Sequence, residues 1–182
     1  MEFILSIDTS LFYFLNKTLA NPLFDWFFPI ITNQKNWNPI YIFLILFLVI
    51  KYKRRGALIA LISIITVGLT DYLGAEIKEL VGRIRPCQSL IDINLLVKCG
   101  SGKAFPSLHS ANNFALAFVL TKYFRQNSWI FYTIASLIAL SRVFVGVHYP
   151  LDIFGGAIFG TLIAFFSCFL FQKIRSLNPE YL

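Results

Sequence analysis

The chain has 182 residues, of which 57% are hydrophobic and only 14% charged, and its mean hydropathy is +0.69. A soluble domain carries about 25% charged and about 45–50% apolar residues, so this composition excludes an ordinary water-soluble domain and points to one membrane-embedded unit. The formal charge of +7 is gathered into neither a basic arm nor a basic amphipathic helix, which argues against nucleic acid as a partner.

A spanning helix needs about 20 mostly apolar residues. The first 33 residues do not supply a clean one, and the N-terminus lacks the basic n-region and cleavage site of a signal peptide. Phe3, Ile4, Ile7, Leu11, Phe14 and Leu15 recur at helical spacing while Ser6, Asp8, Ser10 and Lys17 fall elsewhere, the pattern of a helix lying in the interface. Asn21-Pro22 then breaks the helix, and the apolar run over 23–31 is too short to span. An interfacial or re-entrant helix pair is expected over 1–33, with a kinked full span as the alternative. From Trp37 onward five spans are expected, over 38–52, 56–77, 107–124, 128–147 and 150–171. The fold class is therefore all-α, a polytopic membrane bundle with five spans, or six if the N-terminal stretch crosses. A dense basic turn over 51–55 separates the first two spans, and a polar loop over 78–104 separates the second from the third. The whole chain, 1–182, reads as one domain, with a helical core over 38–175 and site loops over 78–106 and 141–150.

Basic residues orient the bundle. With alternating spans, one face carries Lys51, Lys53, Arg54, Arg55, Lys122, Arg125, Lys173 and Arg175. The other carries Lys35, Lys78, Arg83, Arg85, Lys98, Lys103 and Arg142. Once Lys78, Arg85 and Arg142 are assigned to a site, the first face is the cytoplasmic one. The polar loops then face the periplasm or the cell exterior, as in a bacterial inner-membrane protein. That location permits a Cys87–Cys99 disulfide, although two unpaired thiols fit the sequence equally; Cys168 reads as a small buried hydrophobe.

Three stretches carry the chemistry. The chain has two histidines, and each stands where a polar loop enters an apolar segment: His109 in Pro106-Ser107-Leu108-His109, and His148 in the run from Ser141-Arg142 to Asp152. The third stretch, Lys78 to Arg85-Pro86, adds cations at the same membrane face. Three cations and two histidines around one point repel one another unless an anion joins them, and phosphate matches arginine bidentately. Ser107 reads as an N-cap, and the backbone N–H groups of that helix start, Leu108 included, form an anion site. His148 and Asp152 are one helical turn apart, so the carboxylate can fix the imidazole tautomer. Asp71, Glu76 and Glu79 read as helix-end ion-pair partners more readily than as supports for Lys78 or Arg85.

The three stretches resemble the signature of the type 2 phosphatidic acid phosphatase superfamily: Lys-x6-Arg-Pro, then Pro-Ser-Gly-His, then Ser-Arg-x5-His-x3-Asp. The resemblance covers roughly Lys51 to the C-terminus and departs at Leu108, where the pattern has glycine. It implies that His148 attacks phosphorus to form a phosphohistidine, that Asp152 orients it, and that His109 protonates the leaving oxygen and later activates water. Lys78, Arg85, Ser107, Leu108, Ser141 and Arg142 would hold the phosphate oxygens. No cofactor and no metal are expected, since the cations occupy the role a metal plays elsewhere. The partner implied is a phosphorylated membrane lipid, with lipid A 1-phosphate, undecaprenyl diphosphate, phosphatidylglycerol phosphate and phosphatidic acid as candidates. A phosphotransferase using the same site and a non-catalytic lipid-phosphate transporter are the alternatives.

Overall fold

Apolar runs too long for a soluble helix, punctuated by glycine and proline, give an all-helical chain. The computed structural model describes residues 2–177. The polar tail beyond them and the side chain of Arg175, counted above for orientation, lie outside the described residues. The helices are α1 (Glu2–Tyr13), α2 (Pro22–Thr32), α3 (Gln34–Val81), the single turn α4 (Pro86–Ser89), α5 (Leu108–Tyr123), α6 (Ser128–Phe144) and α7 (Pro150–Leu177).

The N-terminal stretch folds as the expected pair of short helices, joined by a π-helical turn over Phe14–Thr18. The Asn21 side chain caps α2 by accepting from the Phe24 N–H, and Pro22 occupies the first turn, where its missing N–H is no loss. Asp8 and Phe12 of α1 are buried, so this helix presses its polar residue inward, contrary to a helix lying free in the interface. The reason is a cation waiting inside, described below.

Helix α3 bends back on itself at Lys53, whose φ of 49° breaks the helical geometry. Gly56 lets the two limbs close: a Cβ there would sit 1.7 Å from the Leu48 carbonyl oxygen. The bend coincides with the basic turn of the sequence, where Lys51 lies 5.1 Å from the centroid of the Phe47 ring. Two stretches, Gln34–Ser89 and Pro150–Ile174, are long and apolar enough to cross a membrane. Helices α5 and α6, of 16 and 17 residues, are shorter than those.

Packing centres on α5, which lies between α3, α6 and α7. Its contact with α7 is very close, because Gly160 and Gly156 meet the backbone of Ala111 and Ser107, where a Cβ would come within 1.9 Å and 2.5 Å. Small residues at a crossing are the membrane-protein way of gaining van der Waals contact between helices. Large apolar side chains remain on the outside, among them Phe43, Ile50, Phe154 and Phe166.

Two boundaries differ from the sequence expectation. Helix α3 continues through Lys78 to Val81, so Lys78 projects from a last helical turn rather than from the loop. Helix α6 ends at Phe144, short of the expected 147, and Ser141 and Arg142, inside that span but also counted to the site loop over 141–150, are helical. In both cases the chain stays helical until glycine permits the turn: Gly82 (φ 63°) and Gly146 (φ 85°) take left-handed conformations that a β-carbon disfavours.

Candidate active site

At one end of the bundle the last turns of α3 and α6 meet the first turns of α5 and α7, and all three sequence stretches converge there. Lys78, Arg85, His109, Arg142 and His148 line one cavity of about 650 Å³, together with Leu108. The cavity runs from these groups down α5 to Leu120, eleven residues from His109 and so about 16 Å deep at 1.5 Å per residue. Leu44, Leu48, Ala60, Val67 and Leu116 line its inner part, so it is charged at the mouth and apolar below.

His148 is buried, in the turn that Gly146 makes possible. Its Nε2 lies 3.2 Å from Arg85 Nη1. A guanidinium only donates, so Nε2 accepts and the ring proton sits on Nδ1. That nitrogen faces Asp152 Oδ2 at 3.5 Å, longer than a hydrogen bond, and it has no hydrogen-bond partner. The expected carboxylate–imidazole bond is thus a close electrostatic contact instead, because Asp152 is committed elsewhere. Its Oδ2 accepts from the Tyr149 N–H at 2.8 Å, and its Oδ1 accepts from Arg83 Nη1 at 2.7 Å. Complete burial, reinforced by Arg142, Arg85 and Lys78, holds the His148 imidazole well below the ordinary histidine range, so it is neutral and nucleophilic near pH 7.

The cations are held by neutral acceptors, backbone carbonyls for Lys78 and Arg85 and a hydroxyl for Arg142. Lys78 Nζ donates to Lys103 O at 2.7 Å, and Arg85 Nε to Gly102 O at 2.7 Å. Arg142 Nη1 donates to Thr32 Oγ1 at 2.5 Å, while its Nε is buried without a partner. Neutral carbonyls position these charges without cancelling them, and the mouth of the cavity stays strongly positive.

Ser107 and Ser141 depart from their expected roles. Ser107 stands at the N-cap position of α5, but its side chain makes no capping bond, and its N–H donates to the Asp152 carbonyl at 3.0 Å. The amides left for an anion are those of the first helical turn, beginning with Leu108 and His109. Ser141 is fully buried and its Oγ donates to Ile138 O at 2.6 Å, serving its own helix instead of the cavity. Asp71 supports neither Lys78 nor Arg85; its Oδ1 accepts from Asn112 Nδ2 at 2.7 Å.

Two functional neighbours escape the motif reading. Arg83 bridges two buried carboxylates, Asp152 and, at 2.5 Å, Asp8 Oδ2 of α1. It also lies 4.2 Å from the centroid of the Tyr149 ring. Asp8 Oδ1 in turn accepts from the Leu151 N–H at 2.8 Å, in the first turn of α7. The one signal available was Asp8 itself, a carboxylate midway along a short amphipathic helix. Cys87 and Cys99 form a disulfide across the loop that carries Arg85 and Gly102, which resolves the alternative the sequence left open.

A family model described as the PAP2 superfamily matches residues 56–176. The lipid A 4′-phosphatase of Bacteroides thetaiotaomicron is 32% identical over 97% of this chain and 82% of its own length. Among solved structures, Aquifex aeolicus LpxE superposes with a TM-score of 0.75 at 29% identity, covering 89% of this chain and 94% of that one. A PAP2-type phosphatidylglycerolphosphate phosphatase from Bacillus subtilis gives 0.76 at 24% identity over 96% and 89%, a likeness of fold. Motifs, fold and family match agree, and the chain belongs to the PAP2 superfamily.

Proposed function

We propose that the chain is an integral-membrane lipid phosphatase that removes a phosphate from a lipid headgroup through a phosphohistidine. The observation that carries this reading is a neutral His148 Nε2 beside Arg85, at the cationic mouth of a cavity whose interior is apolar. A phosphate seats in the mouth and the lipid chain continues into the membrane-facing depth. The names of related proteins point the same way: lipid A 4′-phosphatase, undecaprenyl-diphosphatase from Sulfolobus acidocaldarius and phosphatidylglycerophosphatase B from Bacillus subtilis.

In the first half-reaction His148 Nε2 attacks phosphorus while Lys78, Arg85 and Arg142 neutralise the oxygens. The P–O bond to the lipid breaks as His109 gives its proton to the leaving oxygen. His148 then carries the phosphoryl group on Nε2 and its proton on Nδ1, a cation stabilised by the Asp152 carboxylate at 3.5 Å. In the second half-reaction His109 takes a proton from water, the water oxygen bonds to phosphorus, the P–N bond breaks and inorganic phosphate leaves.

In this reading α3 to α7 make five spans, the bend at Lys53 lies on the cytoplasmic side and the site faces the periplasm or the cell exterior.

The test is phosphate release by the detergent-purified chain, with chelator, from lipid A, undecaprenyl diphosphate, phosphatidylglycerol phosphate and phosphatidic acid. Release from any of them, indifferent to chelator and abolished in His148→Ala, is the expected result. Lipid binding without release from the whole panel would reject hydrolysis.

A further inference from the structure

The cavity has a mouth for phosphate but no outlet at its far end. Leu48, Ala60 and Leu120 line that end and are all buried. Beyond them the two limbs of α3 close on each other at Gly56, where a Cβ would sit 1.7 Å from the Leu48 carbonyl oxygen. A lipid tail that outruns the cavity must therefore leave it through a side wall.

One side wall is open. Of the residues lining the cavity, Gln34, Ile64, Gly68 and Asp71 are exposed, and the others are buried or half-buried. Gln34 begins α3 and belongs to the mouth. Ile64, Gly68 and Asp71 succeed one another at spacings of four and three residues, so they form one stripe on the second limb of α3. Residues that line a cavity and are exposed at once mark where it communicates with the exterior, and at this depth the exterior is the bilayer.

Gly68 is the middle of that stripe, between Lys78 at the mouth and Ala60 at the closed end. Glycine is a poor helix former, and inside a helix it usually answers a packing need. Gly74, Gly156 and Gly160 answer one, because a Cβ at each would come within 2.4 Å, 2.5 Å and 1.9 Å of a neighbouring atom. At Gly68 no heavy atom lies within 4 Å of where a Cβ would stand. Packing within the protein does not require glycine there, and the space is free for a ligand.

We infer that the gap at Gly68 is a side exit through which the acyl tails of the substrate pass from the cavity into the bilayer, and that the missing side chain sets which tails are accepted. This deepens, and rests on, the lipid phosphatase reading. The class selected is a phosphorylated lipid whose tails outrun the cavity. Gly68 thus determines tail specificity without touching the phosphate.

The experiment offers the full-length chain in detergent two phosphomonoesters that share a headgroup and differ in their tails alone, 1,2-dioleoylglycerol 3-phosphate and 1,2-dihexanoylglycerol 3-phosphate, with His148→Ala as blank. Gly68→Leu is expected to lower the long-to-short ratio of kcat/KM about tenfold, the effect of a few misplaced methylenes in an apolar passage. Gly68→Ala should lower it less, with an unfolding midpoint at or above that of the unmodified chain, since alanine is the better helix former. Leu69→Phe, which adds bulk at an exposed neighbour outside the cavity lining, should leave the ratio unchanged. The ratio is internal to each variant, so a change in overall rate does not mimic the effect. A ratio unaltered by Gly68→Leu, an equal loss on both lipids, or the same shift in Leu69→Phe overturns the exit. Release of neither lipid above the blank would instead reject the phosphatase reading for this headgroup, and the exit with it.

Discussion

The segment from Lys78 to Asp152 and the N-terminal 32 residues contribute to the same site by opposite means. The first carries every motif residue, and its Lys78, Arg85, His109, Arg142 and His148 line the cavity. The second carries no motif, yet Asp8, Asn16 and Thr32 are all buried against the motif segment, Asp8 and Asn16 outside the cavity lining and Thr32 within it beside Arg142. Asp8 balances Arg83, Thr32 receives Arg142, and Asn16 ties the end of α6 to the loop after α4. In the proposed mechanism motif residues perform the chemistry, while a segment without motifs holds them in place. Reacting groups must match a substrate of set chemistry, whereas a support needs only to satisfy whatever donors and acceptors the fold leaves behind it.

The sharpest way to break this comparison is to unpair the charges that join the two regions. Arg83→Met leaves two buried carboxylates without their cation and is expected to cost about 3–5 kcal/mol of stability, with activity falling along with it. Thermal unfolding in detergent beside phosphate release measures both. Asp8→Asn should act in the same direction, and a double-mutant cycle should give a coupling of about 1–3 kcal/mol between the two residues. An Asp8→Asn protein as stable and active as the parent would make the N-terminal segment a passive cover.

The disulfide tests the loop on the motif side. Replacing Cys87 and Cys99 by serine opens a short loop, at a cost of about 3 kcal/mol in the chain-entropy account. Because Arg85 is fastened to Gly102 just outside this loop, one on either side of it, KM should rise more than kcat falls. Steady-state kinetics with and without reductant decide it.

A smaller effect is expected from Asn16. Its Nδ2 reaches Asn94 O at 2.9 Å and Phe144 O at 2.9 Å, and its Oδ1 accepts from Asn94 N–H at 2.8 Å. Asn16→Ala leaves these groups unpaired and should cost about 1–3 kcal/mol, read from the unfolding midpoint. Asn16→Asp, which keeps the acceptor and loses the donors, should recover only part of it.

The smallest change is one of pH. His148 titrates below its ordinary value of 6.5 in the free enzyme, so protonation silences the nucleophile only at lower pH. The acid limb of kcat/KM, which reports the free enzyme, should therefore fall below pH 6.5. A bound phosphate adds negative charge and favours the imidazolium, so the acid limb of kcat should lie at higher pH than that of kcat/KM. Limbs in the reverse order would contradict a phosphate seated against His148.

The all-helical fold and the positions of His109, Arg142, His148 and Asp152 were legible because each rests on local spacing. Apolar length makes a helix, glycine and proline end it, and four residues bring a carboxylate one turn from an imidazole. The same local rules misjudged the loop limits at Lys78 and Arg142, since a helix here runs on until a left-handed glycine stops it. The family resemblance implied Ser141 as a phosphate ligand, and the bond of its hydroxyl to Ile138 O depends on side-chain direction that spacing leaves free. Tertiary structure alone decided that Asp8 meets Arg83, that Asn16 reaches the end of α6 and that Asn112 meets Asp71. Those pairings join residues up to 128 positions apart, and which buried donor finds which acceptor depends on how the helices pack.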